Sequence, residues 1–465
     1  MVSLFCSGLT TWDFAHLMSY GELFHGDKIM LAKTRKHLLL SIVSVFLITV
    51  ALISPVTADT ISLGTNLFSI PEKTTFLNYD GVSNQVMSAS LTNYGPLNIP
   101  PGLISSSPLS DTNLPVYQIV IFDDIIPIRS GNVMLPITLY GINYTVPMTR
   151  VSLTSGNDGI DSYKGTVPGL DDVVVLITVD QHNVVYGSVN YPNETLVIQP
   201  VQRQSYAAQT ANPLHIIYAS SSLPFPDESL MFCGNSDDEI AETFTSPAAD
   251  AMAIVSVLAV TDTDFIQSEA NWQSAVRQYL NQANYQFERD DIRVSIGFCG
   301  FDSSRSHALM TSTEETPRFA FSSVYNTADL DSYNADIGIY FGGVDIPGGM
   351  IGHSDVPTTG TKRFLWVQMK EDSSNSVVTG DYTGRVHTTI HELGHIFGGQ
   401  HTHAIDYTDS TAPGGLRSTV MEEYYDNPAT ASWVFSSAAA AYPGDVNHDN
   451  AGLIRAKKVQ VSNYV

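Results

Sequence analysis

Cysteine and basic residues are scarce in this sequence, and each shortage excludes a class of protein. Three cysteines among 465 residues are too few for a small fold held together by disulfides. The 22 lysines and arginines face 47 acidic residues, and the net charge of −25 argues against nucleic acid or an anionic membrane surface as a partner. With 43% hydrophobic residues and no internal repeat, the chain can form two or three globular domains.

An apolar run near the N-terminus, residues 38–53, predicts export from the cell. Basic residues precede the run and small residues follow it, ending at Ala58. This order is typical of a secretory signal peptide cleaved after Ala58, with Met30 as the expected start. A signal anchor is the alternative, because the run nearly reaches spanning length. We expect an N-terminal extension and signal peptide over residues 1–58, and a secreted chain with no stable membrane span after cleavage.

Two domains of different character are expected after the signal peptide. Between residues 117 and 200, short β-branched and apolar runs are separated by turn residues, which is typical of a β-rich domain. A looser, acidic stretch at residues 221–250 marks a boundary. Strand and helix patterns then alternate. We predict a β-rich domain with its linker over residues 59–245 and an α/β domain over residues 246–465.

One segment has the spacing of a metal site: His391-Glu392-Leu393-Gly394-His395-Ile396-Phe397-Gly398-Gly399-Gln400-His401. On a helix, residues four apart share a face, so His391 and His395 can bind one ion. Gly398 can end the helix with a positive φ and let the chain return His401 as a third ligand. Imidazole suits zinc, and a catalytic zinc keeps one position open for water. We predict one catalytic Zn²⁺ on these three histidines.

Glu392 is the candidate general base of this site. It follows a ligand directly, so its carboxylate can reach a zinc-activated water without binding the metal. Zinc lowers the pKa of bound water from about 15.7 toward ~7, and a carboxylate can then take its proton and pass it to the leaving amine. The pattern predicts hydrolysis of peptide bonds, and hydrolysis of a non-peptide amide is the second enzymatic alternative that the motif leaves open. The alternative is a secreted binding or surface-layer protein in which the zinc site is structural.

The segment resembles the extended motif of the metzincins, H-E-x-x-H-x-x-G-x-x-H followed by a Met-turn. Met421 is the Met-turn candidate, and in that family the methionine packs beneath the zinc without binding it. From about residue 252 onward the chain looks most like the reprolysin (adamalysin) group. The resemblance implies a zinc metalloendopeptidase with a twisted, mostly parallel sheet, a zinc helix and a small C-terminal subdomain. Thr402 departs from that group's usual aspartate, which leaves the subfamily and its specificity open.

The β-rich stretch also resembles the prosegment of reprolysin-type enzymes, and this likeness implies a zymogen in which residues 59 to about 245 cover the cleft. Cys233 would then be a cysteine switch, whose thiolate takes the open position on zinc. A cut within residues 235–250 would release activity. A disulfide between Cys233 and Cys299 is the competing interpretation, because both cysteines remain after export.

Three further expectations concern the surroundings of the site. His387 lies one turn before His391 and is expected beside the ligands or at the surface, while His403 is expected at the surface. Residues 364–369 are expected to form the edge strand on which an extended substrate peptide pairs. Protein or peptide substrates are the expected partners, and the chain is expected to be a monomer.

Overall fold

The described part of the chain belongs to one compact unit, Asn66–Val465, of a computed structural model. The predicted signal peptide, residues 1–58, lies outside it. No described helix is long and apolar enough to cross a membrane. Three strands are described before residue 132: β1 Thr74–Phe76, β2 Met87–Leu91 and β3 Tyr117–Ile121. The other described residues are 132–139, 142–153, 158–192, 194–200, 214–220, 232–233, 251–310, 316–344, 350–355, 363–369, 382–409, 415–423, 432–439 and 441–465.

The N-terminal part is an antiparallel sheet with the strand order β1-β2-β3-β10-β9-β8-β7-β6-β5-β4. Along strand β5, Ile142–Val151, buried and exposed side chains alternate, so that Val146 and Met148 face the core while Thr145 and Pro147 face solvent. The predicted β-rich part is therefore confirmed. Its remaining strands are β4 Asn132–Leu139, β5 Ile142–Val151, β6 Asp161–Val167, β7 Leu170–Val179, β8 Val185–Asn190, β9 Thr195–Pro200 and β10 Leu214–Ala219.

The second part is a mixed sheet with helices, as predicted, and its strand order is β11-β15-β16-β14-β12-β13. Every neighbouring pair is parallel except β15 with β16. The strands are β11 Phe232–Cys233, β12 Ala253–Thr261, β13 Val294–Asp302, β14 Ile337–Gly342, β15 Met350–Ser354 and β16 Phe364–Gln368.

The expectation that residues 364–369 form the edge strand is wrong. Strand β16 lies between β14 and β15, and all five of its side chains are buried. A continuous apolar run buried on both faces is typical of an interior strand of a parallel sheet. Strand β15 lies outside it, and within the described part of the chain only the two-residue strand β11 is added beyond β15.

Two helices organise the second part. Helix α2 lies between the two sheets, and Ala275, Val276 and Leu280 on its apolar face join the core of the mixed sheet. Helix α6, which carries the histidine motif, is buried along its whole length. The described helices are α1 Thr263–Ser268, α2 Trp272–Arg289, α3 Ser306–Met310, α4 Pro317–Val324, α5 Thr327–Ser332, α6 Tyr382–Ile396 and α7 Asn450–Val461, with a 3₁₀ turn at His401–His403 and a hairpin of β17 Asp406–Thr408 with β18 Leu416–Ser418.

Asp290, directly after helix α2, should make the stability of the fold depend on pH. Its Oδ2 accepts hydrogen bonds from the backbone N–H of Phe435 and from Gln286 Nε2, each at 2.8 Å. Burial raises the pKa of Asp290 to about 7, although these bonds oppose the rise. The folded state therefore holds a proton that the unfolded chain has lost, and stability falls as pH rises from about 4 to about 7.

We expect the Asp290→Asn variant to unfold with the same free energy as the native chain near pH ~3.5, where Asp290 is protonated in both the folded and the unfolded state. Above pH 7 the variant should be the more stable protein, because asparagine does not ionise. The difference should approach, at most, about 4 kcal/mol, from about three pKa units at about 1.4 kcal/mol each. Urea unfolding at a series of pH values measures it. A difference that does not change with pH would contradict the assignment.

Candidate metal centre

Helix α6 ends where the sequence predicts. Gly398 has φ +93°, a left-handed conformation that side chains other than glycine rarely adopt. Its N–H donates to the carbonyl of His395 at 2.8 Å, and the Gly399 N–H donates to the carbonyl of Gly394 at 2.7 Å. These two bonds form a Schellman motif, which closes the helix and turns the chain back. His401 is thereby returned to the face that carries His391 and His395.

The three histidines bring one ring nitrogen each to a common point. The Nε2 atoms of His391 and His395 are 3.0 Å apart, those of His395 and His401 are 3.0 Å apart, and those of His391 and His401 are 3.2 Å apart. Tetrahedral coordination with Zn–N bonds of about 2.0–2.1 Å places ligand nitrogens about 3.3 Å apart. The arrangement therefore fits one zinc ion.

The other ring nitrogens fix which nitrogen holds the proton. His391 Nδ1 lies 2.7 Å from the carbonyl of Val420, and His395 Nδ1 lies 2.9 Å from the carbonyl of Gly399. A carbonyl only accepts, so each Nδ1 carries the proton and each Nε2 keeps its lone pair for a metal. Burial lowers the pKa of His391 to about 3 and that of His401 to about 4, so both rings are neutral, as metal ligands must be.

Glu392 lies beside this cluster and is completely buried. Neither of its carboxylate oxygens accepts a hydrogen bond from a nitrogen or oxygen donor among the described residues. Burial raises the pKa of Glu392 to about 8, and the nearby Cys233 thiol lowers it by a smaller amount. A buried carboxylate that has no donor stronger than a thiol is costly unless it serves a ligand or a reaction.

Met421 is buried directly against the motif helix. A Cβ at Gly394, between the two helical ligands, would overlap the Met421 sulfur, and a Cβ at Gly399 would lie 3.3 Å from its Cε. The methionine thus packs against two of the three glycines of the motif. The role of Met421 as a Met-turn residue stays a prediction.

Cys233 joins the cluster from the other half of the chain. Its Sγ and one nitrogen of each of the three histidines lie within 4.8 Å of one another. Strand β11 pairs in parallel with β15, with Cys233 opposite Gly352, and the Cys233 N–H donates to the carbonyl of Glu423 at 3.3 Å. The segment that carries Cys233 therefore bridges the cleft, from the edge of the sheet to the chain that follows Met421.

The alternative of a disulfide between Cys233 and Cys299 is wrong, because both described cysteines are in the thiol form. Cys299 lies on β13, where its Sγ donates to the carbonyl of Val257 at 3.0 Å and burial raises its pKa to about 12. It belongs with a different apolar cluster, which contains Leu258 and Trp366.

His387 and His403, the other two histidines considered in the sequence, lie outside the group of possible metal ligands. His387 is buried and lines a cavity of about 10 Å³, together with Cys233, Thr388 and Glu392. His403 is half-buried, and its Nδ1 lies 3.2 Å from the Thr402 hydroxyl. His387 therefore lies beside the site, which was one of its two expected positions. His403 is less exposed than predicted.

Comparison with known proteins decides the class of this centre. Residues 251–436 match a reprolysin family model, described as metallo-peptidase family M12. This domain is an M12 metallopeptidase. M12 enzymes use zinc, which agrees with the three converging nitrogens. The predicted recognition, a metzincin of the reprolysin type, and the predicted enzyme class, a zinc metalloendopeptidase, are both confirmed for the M12 domain.

Two solved structures show a more distant likeness. The crystal structure of metalloproteinase-II from Bacteroides fragilis is 11% identical over 66% of this chain and 89% of its own, with a TM-score of 0.41. A structure described as a chaperone–substrate complex is 14% identical over 46% of this chain, with a TM-score of 0.33. The present chain spans 36% of the length of that second protein. No curated protein sequence matches the chain.

One glycine beside the candidate site was not predicted from the sequence. Strand β15 passes so close to the motif helix that a Cβ at Gly352 would overlap the Glu392 carboxylate. A glycine inside a strand is a known signal for such a close approach. Because the flexible end of Glu392 could move aside, a larger residue here should displace the carboxylate without unfolding the domain.

We expect Gly352→Ala to lower kcat/KM for peptide hydrolysis about a hundredfold, because misplacing a reacting group by about 1 Å has an effect of that size. Bound zinc and the unfolding temperature should stay near the native values. The matched control is Gly297→Ala on β13, where the new Cβ would have its nearest neighbour at 3.7 Å. Equal activity in the two variants would show that Gly352 does not position Glu392.

Proposed function

We propose that the chain is a secreted zinc endopeptidase made as a zymogen, with His391, His395 and His401 holding one zinc and Glu392 acting as general base. The observation that carries the proposal is the convergence of three Nε2 atoms within 3.2 Å of one another beside a fully buried carboxylate. Membership of a peptidase family supports proteins or peptides as substrates.

The residues around the metal position divide the work of hydrolysis. When bound, zinc supplies the Lewis acidity that polarises the scissile carbonyl and lowers the pKa of the attacking water. Glu392 takes the proton of that water on a carboxylate oxygen and later gives it to the leaving amine nitrogen. The carbonyls of Val420 and Gly399 hold two of the imidazoles in orientation. Gly352 leaves the space that the carboxylate occupies.

Strand β15 is the proposed platform for the substrate, in place of residues 364–369. An extended peptide can add to an exposed strand through backbone hydrogen bonds. Strand β11 already uses β15 in this way, since Phe232 pairs with Met350 and Cys233 with Gly352. A substrate and the segment that carries Cys233 would therefore compete for the same strand.

That competition supports latency. The Cys233 thiol lies within the group of possible metal ligands, where it would take the position that the attacking water needs. In this proposal residues 59–245 form the prosegment and linker, residues 246–465 form the catalytic domain, and Met421 lies in its small C-terminal subdomain. Cutting within residues 235–250 starts activation.

Export completes the proposal. The basic, apolar and small-residue order of residues 1–58 supports a signal peptide that is cleaved after Ala58. The scarcity of cysteine agrees with a fold that needs no disulfide, and the net charge of −25 suits a soluble chain. We propose that the mature protein is a monomer outside the cell.

Zinc content and casein hydrolysis of the purified export form, before and after limited proteolysis, test the proposal. We expect one zinc per chain in both forms, activity only after proteolysis, loss of activity with a chelator, and recovery when zinc is added back. One zinc with no hydrolysis in any form would support a secreted binding or surface-layer protein instead.

A further inference from the structure

An exposed aromatic side chain lies beside the strand that is the proposed platform for the substrate. Phe319, in the first turn of helix α4, is 41% exposed, and no other phenylalanine in the described part of the chain is exposed. Its ring packs against the ring of His353 on β15, nearly at a right angle, with 5.7 Å between the ring centroids. A single exposed apolar side chain is common on protein surfaces, so the position of this ring matters more than its exposure.

Helix α4 lies over β16, and Phe319 reaches from it toward the edge of the sheet. Phe321 of α4 packs edge to face on Phe364 of β16, with 5.1 Å between the ring centroids, which places the helix over that strand. Strand β15 lies next to β16, on the side away from β14. Because Phe319 contacts His353 on β15, its ring lies toward the side on which β11 is added and, in our proposal, a substrate.

The two faces of β15 meet different groups. Gly352 faces the motif helix, where a Cβ would overlap the Glu392 carboxylate. Successive side chains of a strand point to opposite faces, so His353 faces α4. Cys233 pairs with Gly352 and its thiol lies among the possible metal ligands, so a substrate residue opposite Gly352 would lie next to the scissile bond. The neighbouring substrate residue, opposite His353, would direct its side chain to Phe319.

The Phe319 ring is restrained from behind. The Arg318 guanidinium carbon lies over the ring, 4.3 Å from its centroid. Arg318 also pairs with the buried carboxylate of Asp355, which accepts hydrogen bonds from the N–H groups of Arg363 and Phe364 at 3.1 Å each. The ring is therefore held in position before a ligand arrives, which reduces the ordering that binding requires. Because a cation already lies over the ring, a second cation is attracted less than another aromatic ring is.

We propose that Phe319 is a specificity-determining residue, which selects substrates with an aromatic side chain opposite His353 and within two residues of the scissile bond. This rests on the proposed function. An aromatic substrate side chain packs on the exposed part of the Phe319 ring. A basic side chain at this position is disfavoured by the Arg318 guanidinium, and an alanine makes no ring contact. The selection takes place on the α4 face of β15, away from the metal position.

Peptides of varied sequence test this selection on the zinc-loaded protein after limited proteolysis. Each position within two residues of one scissile bond carries phenylalanine, tyrosine, alanine or lysine in turn, and mass spectrometry of the products confirms the bond. We expect an aromatic residue at one position to raise kcat/KM about tenfold over alanine, since an aromatic pair contributes up to about that factor. Phe319→Ala should lose the preference and cleave the alanine peptide within about twofold of the native rate.

Two further variants separate ring contact from a general effect on the fold. Phe319→Tyr keeps the ring and should keep the preference. Tyr333→Ala is the matched control, because Tyr333 is also an exposed aromatic, at 36%, but it follows α5 and its hydroxyl donates to Asp302. This variant should select peptides as the native protein does.

Three results would overturn the inference and leave the proposed function intact. The native protein could show no aromatic preference, Phe319→Ala could keep the preference, or Phe319→Ala could lower kcat/KM equally for every peptide, which a purely structural role would produce. The absence of hydrolysis of any peptide by the zinc-loaded native protein after proteolysis would instead overturn the proposed function.

Discussion

Replacing Glu392 by alanine is expected to abolish peptide hydrolysis while leaving one zinc per chain. General acid–base catalysis contributes about 10²–10⁴-fold, and Glu392 would serve first as base and then as acid. We therefore expect kcat/KM to fall at least about a thousandfold. Zinc should stay, because the three Nε2 atoms converge without help from the carboxylate. Peptide hydrolysis and zinc content are measured on the protein after limited proteolysis.

Glu392→Gln is the matched control for shape, because it keeps the size of the side chain and removes its basicity. It should be as inactive as the alanine variant. Hydrolysis by either variant within about tenfold of the native rate would show that another group takes the proton of the attacking water. Loss of zinc from both would place Glu392 among the groups that hold the metal.

Replacing Cys233 by alanine should make the uncut chain active. The thiol is the only group from the β-rich half among the described possible metal ligands, and alanine cannot bind a metal. Hydrolysis by the uncut variant should rise about a hundredfold or more above the uncut native chain. It should stay below the activity of the native chain after limited proteolysis. In the uncut variant Phe232 still pairs with Met350 on β15, the proposed platform for the substrate.

Cys299→Ala supplies the control for this prediction. Cys299 donates to the carbonyl of Val257 in a separate cluster, so its loss should leave latency unchanged. Casein hydrolysis by the uncut variants, with zinc content measured alongside, gives the result. If the uncut Cys233→Ala chain binds zinc and is as inactive as the native one, the thiol is not the group that blocks the site.

Local spacing was enough to predict that the three histidines of the motif come together. His391 and His395 share a face through helix periodicity, and Gly398 marks the turn because few other residues adopt φ +93°. Each of these inferences depends on residues within one or two helical turns. The convergence of three nitrogens follows from them.

The pairing of strands that are distant along the chain could not be predicted from the sequence. Whether Cys233 meets the histidines or Cys299 depends on the pairing of β11 with β15, and no local pattern encodes it. The error at residues 364–369 has a similar cause, because an apolar run reports burial and does not report which strand lies beyond it. The need for glycine at position 352 was not predicted, because the group that occupies the space, the Glu392 carboxylate, belongs to another element.

The order of strands in the two sheets has a consequence for how the chain acquires its structure. From β4 to β9 each strand pairs with the next one along the chain, so these strands close only short loops. The mixed sheet has mostly parallel pairs and must close long loops, which is slow. Strands β4 to β9 leave the ribosome before the mixed sheet does, and we expect them to be paired by the time α2 is synthesised. The half that we propose restrains the enzyme is then also expected to be the surface on which the M12 domain folds.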